Sequence, residues 1–554
     1  MNNHDTFSLL TQARWFDLNQ ALSIFTPPWP GEMPLQVHFF KRLTGAWGGG
    51  QGANGQLIEW SNNTGTHLVG PRAFHSGARA IADIPLSDLC GEGVIVDISD
   101  AVSDYSLYTP QMIEERVTVK EGDILLINTG YHKYGWDQPD IPSETAQGGI
   151  ENKEFGYFLR HPGPSPDFFP WALEKKLKLI GVDCGSAEHP MNTNLRTMHP
   201  REFARAEAKL RESHGMSWDE LFPPEQYHQL THITMPKAGL LLVESLGGQI
   251  AELANRRAWI MVQPIPFMEV ESAWCRAVAL QPPEGMREDD FFAAMHAVRT
   301  YDMTLPFSVQ TPQWANYEPL SVKYTKRVGG QYFGLGRNNA HCRASFHLAT
   351  HMDGERHFHA AGRTIGEMPF TTWFGPGVVA DISDQVSNSS VYTPEMITSV
   401  VDVQPGDILV VKTGWQKYGW NSPDSDEFRY MIQHPGPSPD FADWCIANRI
   451  KWLAVDCVAM EHPMNTIQRD WHPKTFAEAN EKLKAQYGKD WDEMYPIERY
   501  YQDMHLNLFP KGIIHAENLG AELAEMPSGR YFLACFIPKG MELASCWARM
   551  VAFR

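Results

Sequence analysis

Ser345-Phe346-His347-Leu348-Ala349-Thr350-His351-Met352-Asp353-Gly354-Glu355-Arg356-His357 is the stretch on which the reading of this chain turns. It spells HxxxHxDxxxH. Imidazole and carboxylate are the donors that first-row divalent metals take from proteins. His351 and Asp353 are two residues apart, so on an extended segment their side chains point the same way. His347 precedes His351 by four residues and shares that parity. The pattern makes His347, His351 and Asp353 candidate metal ligands.

The sequence around this motif occurs twice. Tyr108-Thr109-Pro110 recurs as Tyr392-Thr393-Pro394, the octapeptide HPGPSPDF begins at His161 and at His434, and EHPMNT begins at Glu188 and at Glu461. The offset is 284 early in each half and 273 later; the first half carries 11 extra residues between Trp136 and His161, a polar, Gly-rich stretch that reads as a surface loop. Such long-period self-similarity is a tandem duplication. The turn-rich segment Gln281-Pro282-Pro283-Glu284-Gly285 sets the expected domains at 1–285 and 286–554. Two copies of one fold in a chain often reproduce a homodimer covalently, so an internal pseudo-dimer is expected; further homo-oligomerisation is left open. Apolar runs such as Gly93–Ile98, Asp123–Ile127, Gly377–Ile382 and Asp407–Val411 predict buried strands. Glu202–His214 and Thr475–Tyr487 predict helices with an exposed face, and the class is α/β.

Composition narrows the function. The 554 residues carry 66 acidic against 47 basic side chains, a net charge of −19 that disfavours nucleic acid as a partner. With 43% hydrophobic and 20% charged residues the chain reads as globular. No run approaches the length of a membrane span, and no signal-peptide pattern is visible at Met1–Phe16. The eight cysteines form no CxxC pair and predict scattered thiols, so a cytoplasmic protein without a membrane or nucleic-acid partner is expected.

The motif resembles the signature of the metal-dependent cyclase/kynurenine formamidase family, SxHxGTHxDxPxH. The similarity continues through Gly362-Arg363-Thr364-Ile365, Phe374–Ser383 and the closing Trp547-Ala548-Arg549-Met550-Val551. Two residues depart from it: Ala349 stands for the usual Gly and Glu355 for the usual Pro, the latter a carboxylate placed to alter substrate choice. The resemblance implies two homologous domains of swivelling β/β/α type. It implies His505 and Glu517, twelve residues apart, as further ligands, with Asp353 and Glu517 as bridges between two ions. It implies His357 as general acid and base, and Trp314 as an aromatic lining the substrate pocket. The cofactor it implies is zinc or manganese, one or two ions in the second half. The implied reaction is hydrolysis of a C–N bond in a small amide or cyclic amide. A cyclase or lactone hydrolase on the same site is the alternative, and a non-catalytic metal- or ligand-binding protein is the competing class.

The first half is not a copy of the site. In Ser61–Ala73, Asn63 replaces the first His, Val69 the Asp and Ala73 the last His, while His67 survives. His232 and Glu244 keep the twelve-residue spacing. Valine offers a metal no lone pair, so a two-ion site is not expected there; His67, His232 and Glu244 leave a three-ligand site open.

Overall fold

The computed structural model describes residues 3–43, 52–138, 151–329 and 336–554; the extra loop of the first half falls mainly at 139–150, outside them. Each half builds a mixed sheet from its own strands. In the first half the order is Arg14–Asp17, Ser272–Gln281, Arg256–Pro264, Cys90–Asp97, Ile124–Asn128, Leu179–Val182, Leu241–Glu244 and His67–Val69. His67–Val69 pairs back onto Ser272–Gln281, which closes the sheet into a barrel-like ring. The second half repeats this order from Thr300–Asp302 to Ser545–Trp547, and Ala548 alone separates that last strand from Arg549–Phe553, which lies beside Thr300–Asp302. The α/β class is thus observed. The parallel strands at the centre, such as Ile124–Asn128 and Ile408–Lys412, are apolar and buried throughout, as strands covered on both faces must be. The expected helices appear as Pro200–His214 and Pro473–Tyr487, each started by a proline and ended by a left-handed glycine.

A separate four-stranded sheet joins the halves, in the order Ser321–Lys326, Asn339–Ser345, Gly55–Ser61, Gln36–Lys41. Its central pair is antiparallel, with Ser61 opposite His341, Glu59 opposite Arg343 and Leu57 opposite Ser345. At the offset of 284, Glu59 therefore faces its own duplicate, and the other pairs are reciprocal. Other contacts repeat with the same reciprocity. Asn54 N donates to His357 O at 2.8 Å, and Asn338 N donates to Ala73 O at 2.6 Å. Ser23 bonds to Glu542, and Ser308 to Glu269. One buried apolar cluster takes in residues of both halves, and Trp60 packs between Trp274 and Trp547 at 5.3 and 5.1 Å.

The leading helices are exchanged. Leu9 and Leu10 of Asn3–Gln12 pack in one cluster with Phe532 and Phe536 of the second half, and Phe291 and Phe292 of Glu288–Ala297 pack with Trp259 and Met261 of the first. Arg530 lies over Phe7, and Arg257 over Phe292. Residues 286–554 expressed alone would lose the strand beside Asn339–Ser345 and the helix over Phe532. An open edge and an uncovered apolar face favour association. The fragment is expected to aggregate or self-associate in size-exclusion chromatography, and co-expression with 1–285 should restore a soluble pair. A monomeric fragment melting at the full chain's temperature would contradict this.

Candidate metal centre

The strand His351–Asp353 lies between Ile514–Glu517 and Ser545–Trp547. Its register sets His351 opposite Glu517 and Asp353 opposite His515. Alternation along each strand then presents two carboxylates and two imidazoles on one face. His347 arrives differently from its expected shared parity. It lies beyond the end of the strand Asn339–Ser345, and the chain turns through Ala349 at φ +53° before His351. Left-handed backbone favours glycine, and the sister position is Gly65 at φ +66°. Ala349 thus carries a strain that its duplicate avoids.

All five ligands named from the sequence converge. Asp353 Oδ1 lies 3.2 Å from His347 Nδ1 and 3.6 Å from His351 Nε2. Asp353 Oδ2 faces His505 Nε2 at 3.7 Å and His357 Nε2 at 3.8 Å. Glu517 Oε2 is 3.6 Å from His351 Nε2, and its Oε1 is 3.9 Å from His505 Nε2. Each carboxylate thus offers one oxygen to the His347/His351 side and the other toward His505. Among the described residues, two groups are close enough to share an ion: His347, Asp353 and His357, and Asp353, His505, His515 and Glu517.

Second partners fix the rings. His351 Nδ1 bonds to Ala349 O at 2.9 Å, and His505 Nδ1 to Glu461 at 2.9 Å, leaving Nε2 of each aimed at the carboxylates. Such outer partners set the tautomer a metal needs. His357 Nδ1 bonds to Asn54 O of the first half at 2.8 Å, which turns its Nε2 toward Asp353.

The electrostatics are those of a cation site. Burial disfavours a charged Asp353, yet His347, His357 and His351 hold its pKa well below the usual carboxylate range. Burial and the Asp353 charge push Glu517 up. Burial opposes a charge on His505, but Asp353, Glu461 and Glu517 outweigh it and push its pKa up to about 10. Burial drives the pKa of His357 well below its ordinary value, which keeps this ring neutral.

A cavity of about 310 Å³ opens onto Asp353, His357 and Glu517, and Trp314 is among the residues lining it. Three features escaped sequence reasoning. His515 joins the ligand cluster; its sister residue, at the offset of 273, is Leu242, and that contrast was the available signal. Lys41 of the first half lines the cavity, its Nζ 4.6 Å from the centroid of the Tyr317 ring. Its duplicate Lys326 pairs instead with Glu32 at 3.2 Å, the residue that Tyr317 replaces. Asn54 approaches His357 across the halves, which local sequence does not encode. Glu355 corrects an expectation: its carboxylate binds the Arg363 guanidinium and backbone, and it is not among the residues lining the cavity.

The first half also brings its survivors together, but on hydrogen bonds. Glu244 Oε1 accepts from His232 Nε2 at 2.9 Å and from Ala187 N at 2.7 Å, while Oε2 lies 3.4 Å from His67 Nε2. Burial works against this charge, yet His232 and His67 hold Glu244 well below the usual range. The three are not among the groups spaced to share an ion. A cavity of about 260 Å³ remains over them, reached by Lys326 and Asn338 of the second half.

Comparison with known proteins agrees with this duplicated architecture. A family model described as "Putative cyclase" matches residues 16–189 and again 301–462, together more than half of the chain. The chain belongs to the cyclase family, in two tandem copies of which the first has a degenerate site. Kynurenine formamidases of Bacillus anthracis and Bacillus thuringiensis subsp. konkukian are each 24% identical to it over 193 residues, 34% of this chain and 78% of theirs. Isatin hydrolase A from Ralstonia solanacearum superposes with a TM-score of 0.38 at 15% identity, over 49% of this chain and 98% of its own. His505 and Glu517 lie beyond the matched segments.

Proposed function

We propose that the chain is a metal-dependent hydrolase of a C–N bond in a small amide or cyclic amide, with its complete site in residues 286–554. The observation that carries this is the pair of buried carboxylates, Asp353 and Glu517, each splitting its two oxygens between separate groups of imidazoles. His347, His351, Asp353, His505 and Glu517 would hold one or two zinc or manganese ions, since mixed N and O donors suit both. Such ions supply Lewis acidity, which polarises a carbonyl and makes water acidic near neutrality. The likeness to kynurenine formamidases supports an amide as the substrate.

The chain's own residues do the rest. His357 Nε2, with Nδ1 pinned by Asn54, takes the proton that attacking water loses and gives it to the departing nitrogen. Water and amide thereby become an acid and an amine. Trp314 and Tyr317 bound the substrate, and Lys41 offers a charge to an anionic substituent on it. The two halves, 1–285 and 286–554, read as swivelling β/β/α-type domains forming a covalent pseudo-dimer. The reciprocal register at Glu59 and Arg343 supports that reading, and in it the first half lends Lys41 and Asn54 to the second.

Elemental analysis tests the metal and kinetics the proton transfer. Asp353→Ala should lose its zinc or manganese, whereas His357→Gln should keep the metal and lose about 10²–10⁴-fold in kcat. Unchanged metal in Asp353→Ala would refute the site; a wild type inert on any amide would favour a binding protein. Lys41→Gln should raise KM for N-formylanthranilate about tenfold, the scale of one hydrogen bond to a charged group, and leave that for formanilide unchanged. Equal effects on both would remove Lys41 from substrate recognition.

A further inference from the structure

We infer that His515 is a fourth protein ligand for the ion held by Asp353, His505 and Glu517, so that this position is a closed tetrahedral cage. The inference rests on the metal reading above and extends it to a residue that is not among those lining the cavity.

The argument is geometric. Four donor atoms stand together: His505 Nε2, His515 Nε2, Asp353 Oδ2 and Glu517 Oε1. The two imidazole nitrogens are 3.1 Å apart. His515 Nε2 is 3.3 Å from Glu517 Oε1 and 3.8 Å from Asp353 Oδ2. His505 Nε2 is 3.7 Å from Asp353 Oδ2 and 3.9 Å from Glu517 Oε1. Donors about 2.0–2.2 Å from a tetrahedral ion lie roughly 3.3–3.6 Å from one another. The five separations, 3.1 to 3.9 Å, bracket that edge length.

Outside the donor cluster itself, where its Nε2 meets His505 Nε2 within hydrogen-bond distance, no hydrogen bond among the described residues engages the His515 ring. His515 is fully buried, and its Nδ1 has no hydrogen-bond partner. An unpaired buried polar atom destabilises the folded chain. The first half puts Leu242 at the same strand position, equally buried, between its own His232 and Glu244. The barrel therefore accepts leucine here. The half that keeps Asp353 is also the half that keeps the histidine; the other has Val69 and Leu242.

The consequence separates two roles. A site with four protein ligands leaves no open position, whereas catalytic sites keep one. His515 and His351 are absent from the residues lining the cavity, while His347, His357, His505 and both carboxylates line it. With the cage closed by four protein donors, the open position for substrate and water would fall to the ion on the His347/His351 side. An ion held there would supply positive charge to Asp353 and Glu517.

Chelator-stripped full-length protein reloaded with Co²⁺ tests this. The wild type should bind two ions, one with the intense visible bands of four-coordinate cobalt. His515→Leu should keep the first ion but lose those bands, and bind the second at least 100-fold more weakly, beyond the 10–100-fold typical of losing an outer partner. His515→Gln, which keeps bulk and polarity, should weaken it likewise. Melting of the chelated forms guards against a folding defect: both variants should unfold at or above the wild-type temperature. Two ions bound by His515→Leu with unchanged affinity and spectrum would overturn the cage while leaving the hydrolase reading intact. A wild type that binds no ion would overturn both.

Discussion

Asp353 and Glu517 lie buried side by side, and two carboxylates cannot both stay ionised in such a place without compensating positive charge. Everything around them answers that constraint. Imidazoles ring both oxygens of each group, and Glu461 stands behind His505 to orient it. Asp353, Glu461 and Glu517 push the His505 pKa up to about 10 against burial, which marks where positive charge is favoured. Divalent ions would meet the same need more fully, and would bring Lewis acidity suited to the proposed hydrolysis.

The first half shows what happens when the constraint is lifted. With Val69 in place of the aspartate, Glu244 is the lone carboxylate facing its two imidazoles, and hydrogen bonds from His232 and Ala187 satisfy it. The barrel and its cavity persist without the second charge. What this half retains is its contribution across the shared sheet, where Asn54 sets the His357 ring and Lys41 reaches the neighbouring cavity.

Much of this was legible in the sequence. The repeated peptides gave the duplication, the donor types gave the cluster, and the replacements Asn63, Val69 and Ala73 marked the half with fewer donors. What failed did so for physical reasons. The parity argument for His347 assumed continuous extended chain, and the left-handed Ala349 breaks it. Glu355 looked like a specificity residue because sequence does not show that Arg363 occupies it. His515 was hidden because a histidine two residues before a glutamate on a buried strand resembles a satisfied core residue. Only its alignment with Leu242 marks it. Lys41 and Asn54 act on a site some 300 residues away through a strand pairing, which local patterns do not carry.

The central claim is that positive charge from metal ions, concentrated at Asp353 and Glu517 alone, makes one half of this molecule chemically competent. Anomalous X-ray scattering at the zinc or manganese edge, on crystals of the metal-loaded full chain, measures this directly. The account predicts two peaks flanking the Asp353 and Glu517 carboxylates and none beside Glu244. A peak among His67, His232 and Glu244, or none at Asp353, would contradict it.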